Sequence, residues 1–191
     1  MKKLFFTLLL LSLLSSVAWS QSKPFAPYLK KGSKMVNLQL SSLGVNTLKV
    51  SFSDAPNDPM KMTRFGLTAS AGKVVAPNMM VIALVGFNSI DNDGMAITQY
   101  NLAAQGRYYF NKMVYGAAGL GLIGGKIGDE KSNMLDGLLS IGLSVELLPK
   151  LMLEPSVAFS AKLAGGNIAD SGGVSLSYTQ FTLNLGFSYF F

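Results

Sequence analysis

The stretch Gln180-Phe181-Thr182-Leu183-Asn184-Leu185-Gly186-Phe187-Ser188-Tyr189-Phe190-Phe191 decides the fold. Phe181, Leu183, Leu185, Phe187, Tyr189 and Phe191 share one parity, and Gln180, Thr182, Asn184, Gly186 and Ser188 share the other. Side chains alternate faces along a strand, so one face is wholly apolar and the opposite face mostly polar or small. The chain stops on Phe191, at the end of an aromatic-rich amphipathic strand.

The opposite end has the pattern of an export signal. Lys2 and Lys3 precede an apolar run from Leu4 to Leu14, and Ala18-Trp19-Ser20 places small residues where a signal peptidase reads. Residues 1–20 are therefore expected to be a cleaved signal peptide. The alternative, an uncleaved anchor, is disfavoured because the run falls short of the ~20 apolar residues of a membrane-spanning helix. The sequence contains no Cys, which excludes a lipid-modified N-terminal Cys, disulfides, thiolate metal sites and a Cys nucleophile.

Hydrophobic residues make up 49% of the chain, yet no segment after residue 20 is long and apolar enough for a spanning helix. High apolar content without such a segment fits a membrane barrel, in which only alternate residues face lipid. The formal charge is +6, of which Lys2 and Lys3 supply two. A basic balance suits nucleic acid or anionic surfaces. Export removes the first, so no nucleic-acid partner is expected.

Residues 21–33 form a basic, Pro-containing lead-in expected to be irregular and periplasmic, and residues 34–191 form the barrel domain. Period-two alternation and apolar runs predict strands near 34–42, 61–72, 79–88, 97–110, 113–124, 134–147, 150–162 and 177–191. Tight turns are expected at Ala76-Pro77-Asn78, Asn111-Lys112 and Leu148-Pro149-Lys150, with longer outer loops near 43–60, 89–96, 125–133 and 163–176. The expected fold is all-β: a transmembrane antiparallel up-and-down barrel of eight strands. Leu48, Val50 and Phe52 alternate with Lys49, Ser51 and Ser53. This segment is read as a hairpin extension above the membrane, with ten strands as the alternative.

The closing strand resembles the assembly signal at the last strand of outer-membrane barrels, carried by Asn184, Gly186, Tyr189 and Phe191. The resemblance implies recognition by the barrel-assembly machinery and insertion into a Gram-negative outer membrane, with lipid around it. More widely, the chain resembles the small outer-membrane barrels of Bacteroidetes-type bacteria, the OmpA-like or PorT-like proteins. The residues that carry this are Lys31-Gly32-Ser33, Gly72-Lys73-Val74-Val75-Ala76-Pro77-Asn78, Arg107-Tyr108-Tyr109-Phe110 and Leu185-Gly186-Phe187-Ser188-Tyr189-Phe190-Phe191. The resemblance carries fold and location, not an activity.

Parity assigns the two barrel surfaces. Tyr100, Leu102, Ala104, Tyr108 and Phe110 are expected to face lipid; Gln99, Asn101, Ala103, Gln105, Arg107 and Tyr109 are expected to face inward. Leu139, Ile141, Leu143, Val145 and Leu147 then point out, as do Leu151, Leu153, Val157 and Phe159. Tyr108, Phe110, Tyr189 and Phe191 read as a periplasmic aromatic girdle. Seven acids (Asp54, Asp58, Asp91, Asp93, Asp129, Glu130, Asp170) fall in outer loops, and Asp136, Glu146 and Glu154 point inward. No acid faces lipid, where a charge costs about 2–4 kcal/mol at mid-depth.

Arg107, Glu146 and Glu154 are expected to form an ion-pair cluster that plugs the periplasmic half of the lumen. Small inward residues on the next strand, Ala117, Gly119 and Gly121, leave Arg107 room to reach across. The alternative is a narrow ion path or a small polar ligand site. Gly119-Leu120-Gly121-Leu122-Ile123-Gly124 matches a dinucleotide fingerprint only on paper, since its glycines lie within a strand with no helix to follow. Asp91-Asn92-Asp93-Gly94 matches part of a calcium loop without the late Glu.

There is no His, so a Ser-His-acid triad is impossible. No enzyme activity, cofactor or metal is expected. The reading is a structural or interaction barrel of the cell envelope, with an outer-loop partner the sequence does not name. A narrow pore, or an accessory factor in secretion or envelope assembly, is the alternative.

Overall fold

The computed structural model describes residues 26–51, 60–92, 95–111, 113–127, 130–165 and 175–191. The expected signal peptide, residues 21–25 and Phe52, Asp54, Asp58, Asp93, Gly94, Lys112, Asp129 and Asp170 lie outside these.

A short 3-10 helix (Ala26–Leu29) precedes nine strands: β1 (Lys34–Ser51), β2 (Met60–Ala76), β3 (Met79–Asn92), β4 (Met95–Tyr109), β5 (Val114–Ile127), β6 (Glu130–Leu143), β7 (Val145–Leu148), β8 (Leu151–Gly165) and β9 (Ser175–Phe190). Every pairing is antiparallel. The order runs β6-β5-β4-β3-β2-β1-β9-β8-β7, and β6 also pairs with β8. That last pairing closes the sheet on itself. β6 and β7 follow one another along the same edge of β8, Ile141 opposite Val157 and Val145 opposite Leu153, so the ring has eight walls. This is the expected eight-stranded barrel, and the ten-stranded alternative falls. Leu48 and Val50 belong to β1, which runs on past two register shifts after Ser41.

The strands run further toward the loop end than their alternation indicates. Pairing between β3 and β4 continues to Asn92↔Met95, and between β5 and β6 to Ile127↔Glu130. Asp91 and Glu130, placed in loops by sequence, are therefore ladder residues. Above the lipid zone neither face of a hairpin needs to be apolar, so backbone pairing persists where the alternation fades. At the other end the turns are tight. Asn78 adopts a left-handed conformation at φ 61°, and Asn111 Oδ1 accepts from the backbone N–H of Met113 at 2.8 Å and of Val114 at 2.7 Å. Both are turn devices that Asn provides more readily than most residues.

The barrel is inside out by the standard of a soluble protein. Phe87, Leu102 and Leu120 are 61%, 60% and 56% exposed, whereas Asn88, Gln99, Asp136 and Glu154 are buried. A continuous apolar exterior of this extent is untenable in water. With each of the eight walls paired on both sides it is what a bilayer requires.

Inside, space is shared between paired positions. Asn88 covers its register partner Gly66, Asn101 covers Gly86, and the ring of Tyr115 lies against Gly142. The glycines at 119, 121 and 124 sit within β5, which is followed by β6, so the fingerprint they match on paper has no helix to open.

Candidate functional site: the closed lumen

The lumen is closed near the turn end by two stacked layers. The inner layer is polar. Glu154 on β8 is 2% exposed and meets Arg107 on β4, with Nη1 2.9 Å from each carboxylate oxygen. Three more donors complete the carboxylate's shell: Ser188 Oγ on β9 at 2.7 Å, Ser144 Oγ at 2.9 Å and Asn37 Nδ2 on β1 at 3.4 Å. Asn37 also donates to Ser188 Oγ at 2.8 Å. The guanidinium lies 4.0 Å from the centre of the Tyr115 ring and donates to Tyr109 Oη at 3.3 Å. A buried ion pair holds only when its remaining lone pairs and protons are satisfied and its geometry is good, and Glu154 meets that condition.

Pro155 accounts for the gap between β6 and β7: the register on β8 is unbroken from Gly142↔Ser156 to Val145↔Leu153, which sets Leu143 opposite Pro155, a residue with no N–H to give the ladder. Ser144 continues the pairing on the β5 side, its backbone N–H donating to the Met113 carbonyl at 2.8 Å, and its hydroxyl meets Glu154.

The second layer, nearer the rim, is apolar: Met35, Val74, Met80, Ile82, Tyr109, Tyr115, Met152 and Phe190, with Leu29 of the lead-in seated among them. In the described part of the lead-in, residues 26–33, the chain is thus not wholly irregular, as its Pro content suggested. It turns back as a 3-10 helix and caps the mouth. Gly32, at φ 97°, donates its N–H to the Val74 carbonyl at 2.8 Å, and Val74 N–H returns to the Ser33 carbonyl at 2.8 Å. Tyr28 packs on Phe190 and donates its hydroxyl to Glu146 at 3.0 Å. Donation to that carboxylate, together with desolvation, raises the phenol pKa above its usual 10.

Of the three residues grouped by sequence, the structure brings Arg107 and Glu154 together and separates Glu146. Glu146 is the register partner of Met152, two residues nearer the rim than Glu154. It stands in the apolar layer and serves the cap, not the ion pair. Sequence reasoning missed Ser144, Ser188, Asn37, Tyr109 and Tyr115. All share the inward parity of their strands, but nothing in their spacing distinguishes them from other inward residues.

Tyr108, Phe110, Tyr189 and Phe191 are exposed at the turn-end rim. Tyr108 and Phe110 meet edge to face at 5.5 Å between centroids, and Tyr189 and Phe191 stack at 6.4 Å. Asn184 and Gly186 face inward, and β9 closes the ring by pairing with β1 from Met35↔Phe190 to Ser51↔Ser175. Above the ion pair lies a polar cavity of about 110 Å³, bordered by Asn101, Gln105, Arg107, Asp136, Ser140 and Ser156 among others. Arg107 Nε and Asn101 Oδ1 on its wall bond to no protein group, and the space is ample for water, which needs about 10–15 Å³ per molecule. Among the described residues no cluster of His, Cys, Asp or Glu is suited to a metal.

No protein-family model matches the sequence, and no curated protein matches it. Among solved structures, the barrel is similar to neisserial surface protein A, NspA, with a TM-score of 0.61 at 16% identity over 83% of this chain and 99% of that one. The fold is that of an outer-membrane β-barrel. Ail of Yersinia pestis superposes less well, with a TM-score of 0.49 at 13% identity over 84% of this chain and 100% of that one.

Proposed function

We propose that the protein is an integral outer-membrane barrel with a structural or interaction role in the cell envelope, without catalysis and without a conducting lumen. The two-layer closure carries this reading. An ion pair with a complete donor shell backs onto an apolar floor capped by Leu29, in an interior whose width is just filled by side chains. Short turns support a periplasmic position for this end, with the loop end free for contact outside. Export by residues 1–20, the girdle role of Tyr108, Phe110, Tyr189 and Phe191, and recognition of Asn184, Gly186, Tyr189 and Phe191 by the assembly machinery belong to the same proposal. So does kinship with the Bacteroidetes OmpA-like or PorT-like barrels. Membrane fractionation with heat-dependent gel migration, joined to a permeability assay of a deletion strain, tests it. A heat-modifiable outer-membrane band and a leakier envelope are expected; a soluble fraction or a band insensitive to heating contradicts the proposal.

The polar cavity favours a second reading, a narrow pore gated by Arg107 and Glu154, which bilayer conductance separates from the first. An accessory role in secretion or envelope assembly rests on the family resemblance, and recovery of a stable partner complex supports it.

A further inference from the structure

Among the described side chains, the turn-end rim carries a one-sided charge. Lys30, Lys31, Lys34, Lys73 and Lys150 all stand exposed there, and the one described acid at this rim that is not sealed in the lumen, Glu146, is engaged by Tyr28. Lys34 on β1 and Lys73 on β2 are direct register partners. Their chain neighbours Met35 and Val74 are buried inward, so both lysines point to the lipid side. Like charges directly opposite on a sheet destabilise it. Lys34 lies level with Phe191, to which it is joined by reciprocal backbone bonds of 2.9 and 3.0 Å, and beyond it the same face of β1 continues as exposed Val36, Leu38 and Leu40. The pair therefore sits where headgroups meet the acyl region, in reach of phosphate, with long stems able to lie along the apolar surface.

We infer that Lys34 and Lys73, supported by Lys30 and Lys31, form a binding site for the phosphate of an anionic phospholipid in the periplasmic leaflet. The apolar face directly above the pair, continuous with the rest of the lipid-facing belt, selects a lipid over a soluble acidic partner. A bound phosphate lying between the two ammonium groups offsets their repulsion.

The test reconstitutes the full barrel in nanodiscs of mixed phosphatidylethanolamine and phosphatidylglycerol and reads co-retained lipid by native mass spectrometry. Wild type should retain phosphatidylglycerol in preference, and K34Q/K73Q should lose at least about fivefold of that preference while staying heat-modifiable. Lys34→Glu converts the like-charge pair into an opposite-charge one. It should keep the barrel at least as stable in zwitterionic detergent, yet abolish the preference. Equal retention by wild type and K34Q/K73Q overturns the proposal. So does a wild type that shows no lipid preference but binds a soluble acidic polymer through these lysines.

Discussion

Glu154 gathers donors from four other places in the barrel wall: Arg107 on β4, Asn37 on β1, Ser188 on β9 and Ser144 at the β6–β7 break. Removing one partner strands the other in a buried site, which costs about 3–5 kcal/mol. Arg107→Ala and Glu154→Gln should each lower the unfolding free energy, read from urea titration in detergent, by an amount in that range. Replacing both by Met should recover much of the loss, because a matched apolar pair leaves no stranded charge. Gly142 offers a steric check of the same layer. A Cβ there would lie 2.5 Å from the Tyr115 ring and 2.8 Å from Ser156 Cβ, so Gly142→Ala should destabilise the barrel, whereas Gly106→Ala, which meets nothing within 4 Å, should not. Arg107 and Glu154 were legible as inward charges because parity alone puts them there. Their partners were not, since reach across a lumen depends on the stagger of strands far apart in sequence.

The lead-in and the turns are the elements where local sequence misleads most. Pro24 and Pro27 in a basic stretch read as irregular chain, yet Leu29 is seated in a floor built from seven different strands. Its burial is a tertiary outcome that no local pattern announces. Leu29→Ala should loosen the cap by about 2 kcal/mol, seen as faster backbone hydrogen exchange at Gly32 and Val74 with the barrel ladder unchanged. The Tyr28 contact adds a pH dependence. Because its folded pKa lies above that of the unfolded chain, its contribution is complete below pH 10 and is lost as the pH rises through the raised value. An alkaline loosening of the cap is expected, and Tyr28→Phe should abolish it. In the β7–β8 turn Lys150 is held at φ 70°, a conformation that costs a non-glycine residue about 1 kcal/mol. Lys150→Gly should raise stability by about that amount in thermal melts. The turns themselves were legible from Pro and Asn. The loop ends were not, because ladders above the membrane need no alternation.

At the scale of the whole molecule, one polar-in, apolar-out register runs round a closed ring of eight walls. The alternation of residues 180–191 already held that register, and its fold consequence was readable because a bilayer penalises any charge on the wrong face. What the lumen does was less readable: the same inward polar residues line a channel or fill a plug, and only their mutual distances decide. Here the ion pair and the capped apolar floor lie in series across the passage. Conductance of the purified, heat-modifiable barrel in planar lipid bilayers tests that claim most directly. The account predicts a flat baseline with no reproducible current steps for the wild-type protein. Steady channels whose size changes when Arg107 or Glu154 is substituted would contradict it.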